Sequence, residues 1–229
     1  MRLRRKPWAR PELDACPFYV PDPPSLLGRW RAQFANGSPL YIELGCGKGG
    51  FIAREAARHP ERAYLAIDLK SEVLALAKRH IDAAHADLGC APDNIKIMSW
   101  DIERIDLMLG KDDAADALYV NFPNPWPKNR HKKKRLTHTR QLLKYRAFLV
   151  DGGHILFKTD DDELFEDSLI YFEEAGYTVE RAESDLYENG VPDGAALTEH
   201  EQMFLDKGLP IHFIRARKSD LPALDGPNI

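Results

Sequence analysis

The chemistry-bearing residues of this sequence begin with Gly45-Cys-Gly-Lys-Gly-Gly50. Glycines at this density permit a tight turn and let a ligand approach both the backbone and a helix N-terminus. The spacing satisfies GxGxxG, and Asp68 lies about the right distance downstream to bind a ribose diol. The glycines alone specify a nucleoside cofactor and fit NAD or S-adenosylmethionine equally well. Two acids tilt the choice. Glu43, directly before the glycines, would repel a pyrophosphate yet attract the ammonium or sulfonium side of S-adenosylmethionine. Asp101, after the third expected strand, is placed to accept a hydrogen bond from an adenine amino group, while Asp68 takes the ribose hydroxyls. Any one of these acids could be a solvated strand end; their recurrence at successive strand ends favours a site. An NAD(P)-dependent oxidoreductase would leave Glu43 opposed to the pyrophosphate.

The second concentration of chemistry runs from Tyr119 to Arg135, Tyr-Val-Asn-Phe-Pro-Asn-Pro-Trp-Pro-Lys-Asn-Arg-His-Lys-Lys-Lys-Arg. An apolar strand leads into a loop stiffened by Pro123, Pro125 and Pro127. That stiffness reduces the entropy lost when a substrate orders the loop. Trp126 offers a stacking face, or packs back onto the domain. Lys128, Arg130, Lys132, Lys133, Lys134 and Arg135 then form a cation run suited to phosphates.

These residues need a scaffold, and the intervening sequence supplies strand–helix alternation. Strands are expected at Leu40–Leu44, Tyr64–Leu69, Ile95–Met98, Ala117–Phe122, His154–Lys158, Tyr177–Ala182 and Ile211–Ala216. Helices are expected at Phe51–Arg58, Ser71–Asp87, Thr137–Leu149, Asp161–Ala175 and Thr198–Lys207. Ser71 and Thr137 serve as N-caps in this reading. Such alternation makes a mostly parallel seven-stranded sheet with helices on both faces. Ligands bind such sheets beyond the carboxyl ends of the strands, where Glu43, Asp68, Asp101, Asn124 and Asp160 gather. The division expected is a basic N-terminal arm at 1–38 with at most one short helix near Leu26–Phe34, a domain at 39–219 and a tail at 220–229.

A composition 44% hydrophobic and 30% charged suits a soluble globular chain rather than a disordered one. No apolar run reaches the roughly 18 residues of a membrane span. Three cysteines without metal-ligand or CxxC spacing point to a reduced, cytoplasmic, metal-free protein. The net charge of −4 does not exclude a polyanionic partner, because the cations are clustered. Arg2, Arg4, Arg5, Lys6 and Arg10 form one cluster, and the 128–135 run forms the other. Charges on a surface act locally, being screened beyond about 8 Å at physiological salt.

The chain resembles the bacterial tRNA (guanine-N7-)-methyltransferase family. The matching segments are Ile42–Phe51, Phe122–Lys128 with its Arg-His-Lys continuation, Phe157-Lys-Thr-Asp160 and Thr198-Glu-His-Glu201. The proline–tryptophan–lysine loop is the most distinctive of these, and the resemblance runs from about Lys6 to Arg217. It implies a single-domain, Rossmann-like class I methyltransferase fold. It also implies S-adenosylmethionine contacts from Glu43, Asp68, Asp101 and Asn124, beside the turn of Gly45 and Gly47 already read from its spacing. Lys128, Asp160 and the segment Thr198, Glu199, His200 and Glu201 are implied to contact tRNA. The implied target is a guanosine in the variable loop. The family usually carries aspartate where this chain has Asn124, the implied catalytic position. Thr198-Glu-His-Glu201 also has the spacing of a helix capping box. Two readings stand beside this one: methylation of an exocyclic amine, suggested by Asn124-Pro-Trp, and an RNA-binding module weakened in catalysis by Asn124. Monomer and homodimer are left open.

Overall fold

The computed structural model describes residues 6–35, 37–192 and 195–220. Seven strands form one sheet: β1 (Leu40–Leu44), β2 (Ala63–Asp68), β3 (Ile95–Ser99), β4 (Ala115–Asn121), β5 (Leu149–Thr159), β6 (Tyr177–Glu183) and β7 (His212–Lys218). Their order is β3-β2-β1-β4-β5-β7-β6. The first five strands pair in parallel, and β7 is antiparallel to both β5 and β6.

Side-chain alternation divides the core into two layers. Leu40, Ile42 and Leu44 of β1 and Leu65 and Ile67 of β2 face one layer. Helices α4 (Thr139–Phe148) and α5 (Asp162–Glu174) cover it with Leu142, Tyr145, Leu164 and Phe172. Tyr64, Ala66, Ile95 and Ile97 face the other. There they meet α1 (Ala9–Asp14), α2 (Gly50–Arg58) and α3 (Ser71–Asp87) through Leu13, Ile52 and Leu74. Strands buried on both faces explain the near-continuous apolar runs.

The chain runs outward from β1 to β3 and then returns to β4 on the other side of β1. The sheet therefore changes direction between β1 and β4, the position where a crevice opens at the strands' carboxyl ends. Helix α6 (Glu199–Asp206) completes the set and stands at this end.

Several local expectations are corrected. No helix spans Leu26–Phe34: two 3-10 turns, Pro23–Leu26 and Arg31–Gln33, flank Gly28, whose φ of 73° is incompatible with a right-handed helix. A helix lies earlier instead, at α1, and packs on α3 with Glu12 accepting two bonds from Arg79 at 2.8 and 2.7 Å. Val20 donates to Ile97, and Ile97 to Phe18, each at 2.9 Å, so this segment covers the edge of β3. Trp30 is wholly buried and donates its indole N–H to Met108 at 2.7 Å. Of the arm's cations, Arg2, Arg4 and Arg5 lie outside the described residues, as does the tail beyond Asp220. The N-cap of α3 is Lys70 rather than Ser71 and makes no side-chain cap. The N-cap of α4 is His138, whose ring accepts from the Arg140 N–H. Thr137 is buried and bonds the Ser168 hydroxyl at 2.7 Å instead.

Candidate active site

The cleft sits at the β1–β4 switch. Its floor is Glu43, near the end of β1 and only 2% exposed. One carboxylate oxygen accepts from the Asn121 side-chain amide of β4 at 3.0 Å. The other oxygen, Oε2, has no partner. Burial pushes the Glu43 carboxyl up to about 8, although the Asn121 hydrogen bond and the Lys158 charge pull the other way. A buried acid with an orphaned oxygen is unfavourable alone and becomes favourable beside a cation.

One wall is the glycine turn. Gly45 and Gly47 hold left-handed φ values of 82° and 54°, and a Cβ on either would meet nothing within 4 Å. These two glycines are therefore set by backbone conformation and leave the turn open toward the cleft. Gly49 also has a contact reason, since its Cβ would fall 2.6 Å from the Ala77 Cβ on α3. Asp68 braces the turn from β2 by accepting from the Gly47 N–H at 3.0 Å and from the Lys70 N–H at 2.9 Å. Burial raises its carboxyl above the ordinary range, against those two hydrogen bonds.

The opposite wall comes from α6. Thr198 and Glu201 form a complete capping box: the Thr198 hydroxyl accepts from the Glu201 N–H at 2.9 Å, and Glu201 accepts from the Thr198 N–H at 2.6 Å. Glu201 is fully buried and also accepts from Lys158 at 2.6 Å and Tyr187 at 2.5 Å. Burial opposes its ionisation, but the Lys158 charge and these bonds hold it below the usual carboxylate range. Glu199 pairs with Lys48 of the glycine turn at 2.8 Å. The His200 ring stacks on Phe122 with centroids 5.1 Å apart.

The loop after β4 is the most strained segment of the site. Phe122 and Trp126 both hold left-handed φ, 49° and 45°. Such backbone costs on the order of 1–3 kcal/mol per residue and persists only where surrounding contacts over-determine it. Asn124, exposed between them, accepts from the Trp126 N–H at 3.1 Å. Trp126 packs edge-on to His131, and Lys134 lies over its ring at 5.2 Å. The basic run continues as a 3-10 turn, Asn129–Lys134, with exposed Lys128 at its start.

Of the residues the sequence singled out, Glu43, Gly45, Gly47, Thr198, Glu199 and His200 line one cleft. Asp68 supports it through Gly47. Asp101, Asn124, Lys128 and Asp160 do not line it; all four are exposed. Asp101 follows β3 and accepts from the Glu103 N–H at 3.0 Å. It lies two residues beyond Ser99, the register partner of Asp68. Asp160 directly follows β5, where Asp161 caps α5 through the Leu164 N–H at 2.7 Å. Sequence reasoning passed over Asn121 and Lys158. Each is a polar residue at the end of an apolar strand, the same signal that marked Glu43.

An acid awaiting a cation, a left-handed glycine turn and a ribose-height aspartate fit S-adenosylmethionine, and with the sheet order they define a class I, S-adenosylmethionine-dependent methyltransferase. Known structures agree on the fold. The 16S rRNA methyltransferase KamB superimposes with a TM-score of 0.58 at 16% identity, covering 82% of this chain and 90% of its own. A 16S rRNA (adenine(1408)-N(1))-methyltransferase from Catenulisporales acidiphilia, solved with its cosubstrate, gives 0.58 at 18% identity, covering 90% and 94%. The family model described as "Putative methyltransferase" matches residues 37–214. The tRNA (guanine-N(7)-)-methyltransferase of Clostridium perfringens is 53% identical over 95% of this chain and all of its own length. That of Ruminiclostridium cellulolyticum is 55% identical over 94% of this chain and 92% of its own. The chain belongs to the tRNA (guanine-N(7)-)-methyltransferase family.

Proposed function

We propose that this protein transfers the methyl group of S-adenosylmethionine to N7 of a guanosine in the variable loop of tRNA. The observation that carries the cofactor half is the orphaned Glu43 oxygen, on a buried carboxyl that faces a glycine turn and that a cationic ligand would ionise. S-adenosylmethionine supplies an electrophilic methyl on a cationic sulfur. Glu43 and the turn from Gly45 to Gly47 would hold its charged end, Asp68 its ribose and Asp101 its adenine.

The residues on the other side deal with the base. Guanine N7 already bears a lone pair, so the protein need remove no proton from it. The methylated ring is cationic, so the site assists by presenting negative charge or carbonyl dipoles as that charge develops. Asn124 presents a carbonyl dipole, held in place by the Trp126 N–H. Glu199 and His200 face the cleft and are placed to meet the guanine edge, whose N1–H and N2–H are donors. In this reading Glu201 and Thr198 act mainly by holding α6, since their polar atoms are engaged in the capping box. Lys128 and Asp160 contact the tRNA from the rim. The free thiols of Cys16, Cys46 and Cys90 suit a reducing cytoplasm.

Methylation of an exocyclic amine is less well supported. It would enlist the Asn124 carbonyl, whose second lone pair could accept from an amine, but the relatives at 53% and 55% identity are named for guanine N7. The deciding experiment is transfer of labelled methyl to unmodified tRNA with nucleoside analysis. The expected product is 7-methylguanosine, and a methylated amine would overturn the assignment. Aspartate at position 124 could make the same turn with a full negative charge. Asn124→Asp is therefore expected to raise the single-turnover rate about tenfold over an already active wild type. A wild type without activity, restored by Asn124→Asp, would overturn the view that a carbonyl dipole suffices.

A further inference from the structure

The basic run contains two kinds of cation. Lys128, Arg130 and Lys133 are exposed and pair with no carboxylate among the described residues. Arg135 is 1% exposed, its guanidinium enclosed between the 122–128 loop and the first turns of α5. Its Nε–H donates to the Pro125 carbonyl at 2.6 Å, one residue beyond Asn124. One terminal nitrogen donates to Asp167, and the other reaches Glu163 at 3.5 Å. Lys132 pairs with the same two acids at 2.6 and 2.7 Å. Glu163 and Asp167 are four residues apart and so share one face of α5. That helix starts immediately after Asp160 and Asp161.

We propose that Arg135 is a positioning residue, which fixes the Pro125 peptide and therefore Asn124 relative to the Asp160 end of β5, and that it does not contact phosphate. The proposal rests on the 122–128 loop being the target-base loop. Guanidinium geometry suits the task. Its donors diverge in one plane, so a single rigid group bonds a carbonyl on one side and carboxylates on the other. A lysine ammonium reaches one side or the other at the end of a flexible stem. The left-handed Phe122 and Trp126 make such bracing necessary, because strained backbone persists only where contacts hold it. Burial removes Arg135 from any phosphate, which leaves its exposed neighbours to that role.

The test compares Arg135→Lys and Asp167→Asn with wild type in two assays: single-turnover methyl transfer at saturating tRNA and S-adenosylmethionine, and tRNA affinity as a function of salt. Misplacing a reacting group by about 1 Å costs up to about 100-fold in rate. The expected result is a rate reduced about 10- to 100-fold in both variants, with tRNA affinity within about twofold and an unchanged salt slope. Weakened tRNA binding with a shallower slope and a full rate at saturation would make Arg135 a phosphate ligand and overturn the proposal. A lowered melting temperature with normal rate and affinity would overturn it too, by leaving only a structural role. Should Arg135→Lys fail to fold, Asp167→Asn carries the test, since that acid is a quarter exposed. Asn124→Ala run alongside separates the two readings. A full rate there removes the loop from the reaction, whereas a slow Asn124→Ala beside a full-rate Arg135→Lys defeats the positioning role alone.

Discussion

Glu43 shows how one residue's environment sets a measurable property of the whole site. Its carboxyl is raised to about 8, first by burial, so near neutral pH the protonated form predominates. Between the ordinary carboxylate range and about 8, the folded chain binds more protons than the unfolded one, so this group's contribution to stability declines as pH rises through that window. A cationic ligand reverses the preference by favouring the ionised form. S-adenosylmethionine affinity should therefore rise with pH from about 6 to about 8, by up to about tenfold per unit, with proton release on binding. Calorimetry in buffers of different ionisation enthalpy measures that proton, and Glu43→Gln should abolish both the release and the pH limb. An affinity flat across this range in wild type would show that Glu43 does not meet the cation. The place of Glu43 in the cleft was legible, because an acid between an apolar strand and a glycine turn has few structural uses. Its partner Asn121 was equally available by the same logic. The roles of Glu201 and Arg135 were not, since charge in a sequence carries no record of whether it faces solvent or an internal partner.

At the scale of elements, α6 depends on its first turn. The capping box ties Thr198 and Glu201 reciprocally, and the Lys158 pair anchors the same carboxylate to β5. Losing an N-cap acceptor costs about 1 kcal/mol, which in a chain of this size lowers Tm by roughly 2–4 °C. Thr198→Val should show that loss in a thermal melt. It should also shrink the extra stabilisation gained from S-adenosylhomocysteine, because Glu199 in this turn pairs with Lys48 of the glycine turn. A lowered Tm with undiminished ligand stabilisation would mean that α6 does not brace the glycine turn. The capping signature was visible in Thr198-Glu-His-Glu201, yet the same reasoning failed at Ser71 and Thr137. Both have the right side chain one position from the true N-cap, and the buried Ser168 hydroxyl competes for Thr137. The strands were easier to place because burial on both faces leaves long apolar runs. Helix α1 was missed because six residues interrupted by Pro11 show little helical period.

Across the whole molecule, a net charge of −4 is compatible with tRNA binding because the cations of the basic run divide into those paired with carboxylates and those left unpaired among the described residues. Lys132 and Arg135 are committed to Glu163 and Asp167, whose carboxyls their charges help hold below the ordinary range: at Glu163 the Lys132 hydrogen bond is the largest influence, and at Asp167 burial opposes ionisation but is outweighed. The exposed Lys128, Arg130 and Lys133 pair with no carboxylate among the described residues and stand beside the strained loop that carries Asn124. Each phosphate contact displaces counterions and adds roughly 0.7–0.9 to the slope of log affinity against log salt. The double variant Arg130→Gln/Lys133→Gln should therefore reduce that slope by roughly 1.4–1.8, with the single-turnover rate preserved once tRNA is saturating. Lys132→Gln should leave the slope unchanged and lower thermal stability near pH 7, an effect that fades as acid protonates Glu163 and Asp167. Equal slope losses from Lys132 and from the exposed pair would mean that the Lys132 ion pairs open when tRNA docks. In that case α5 would have to move relative to the loop on binding, since the same two acids hold Arg135.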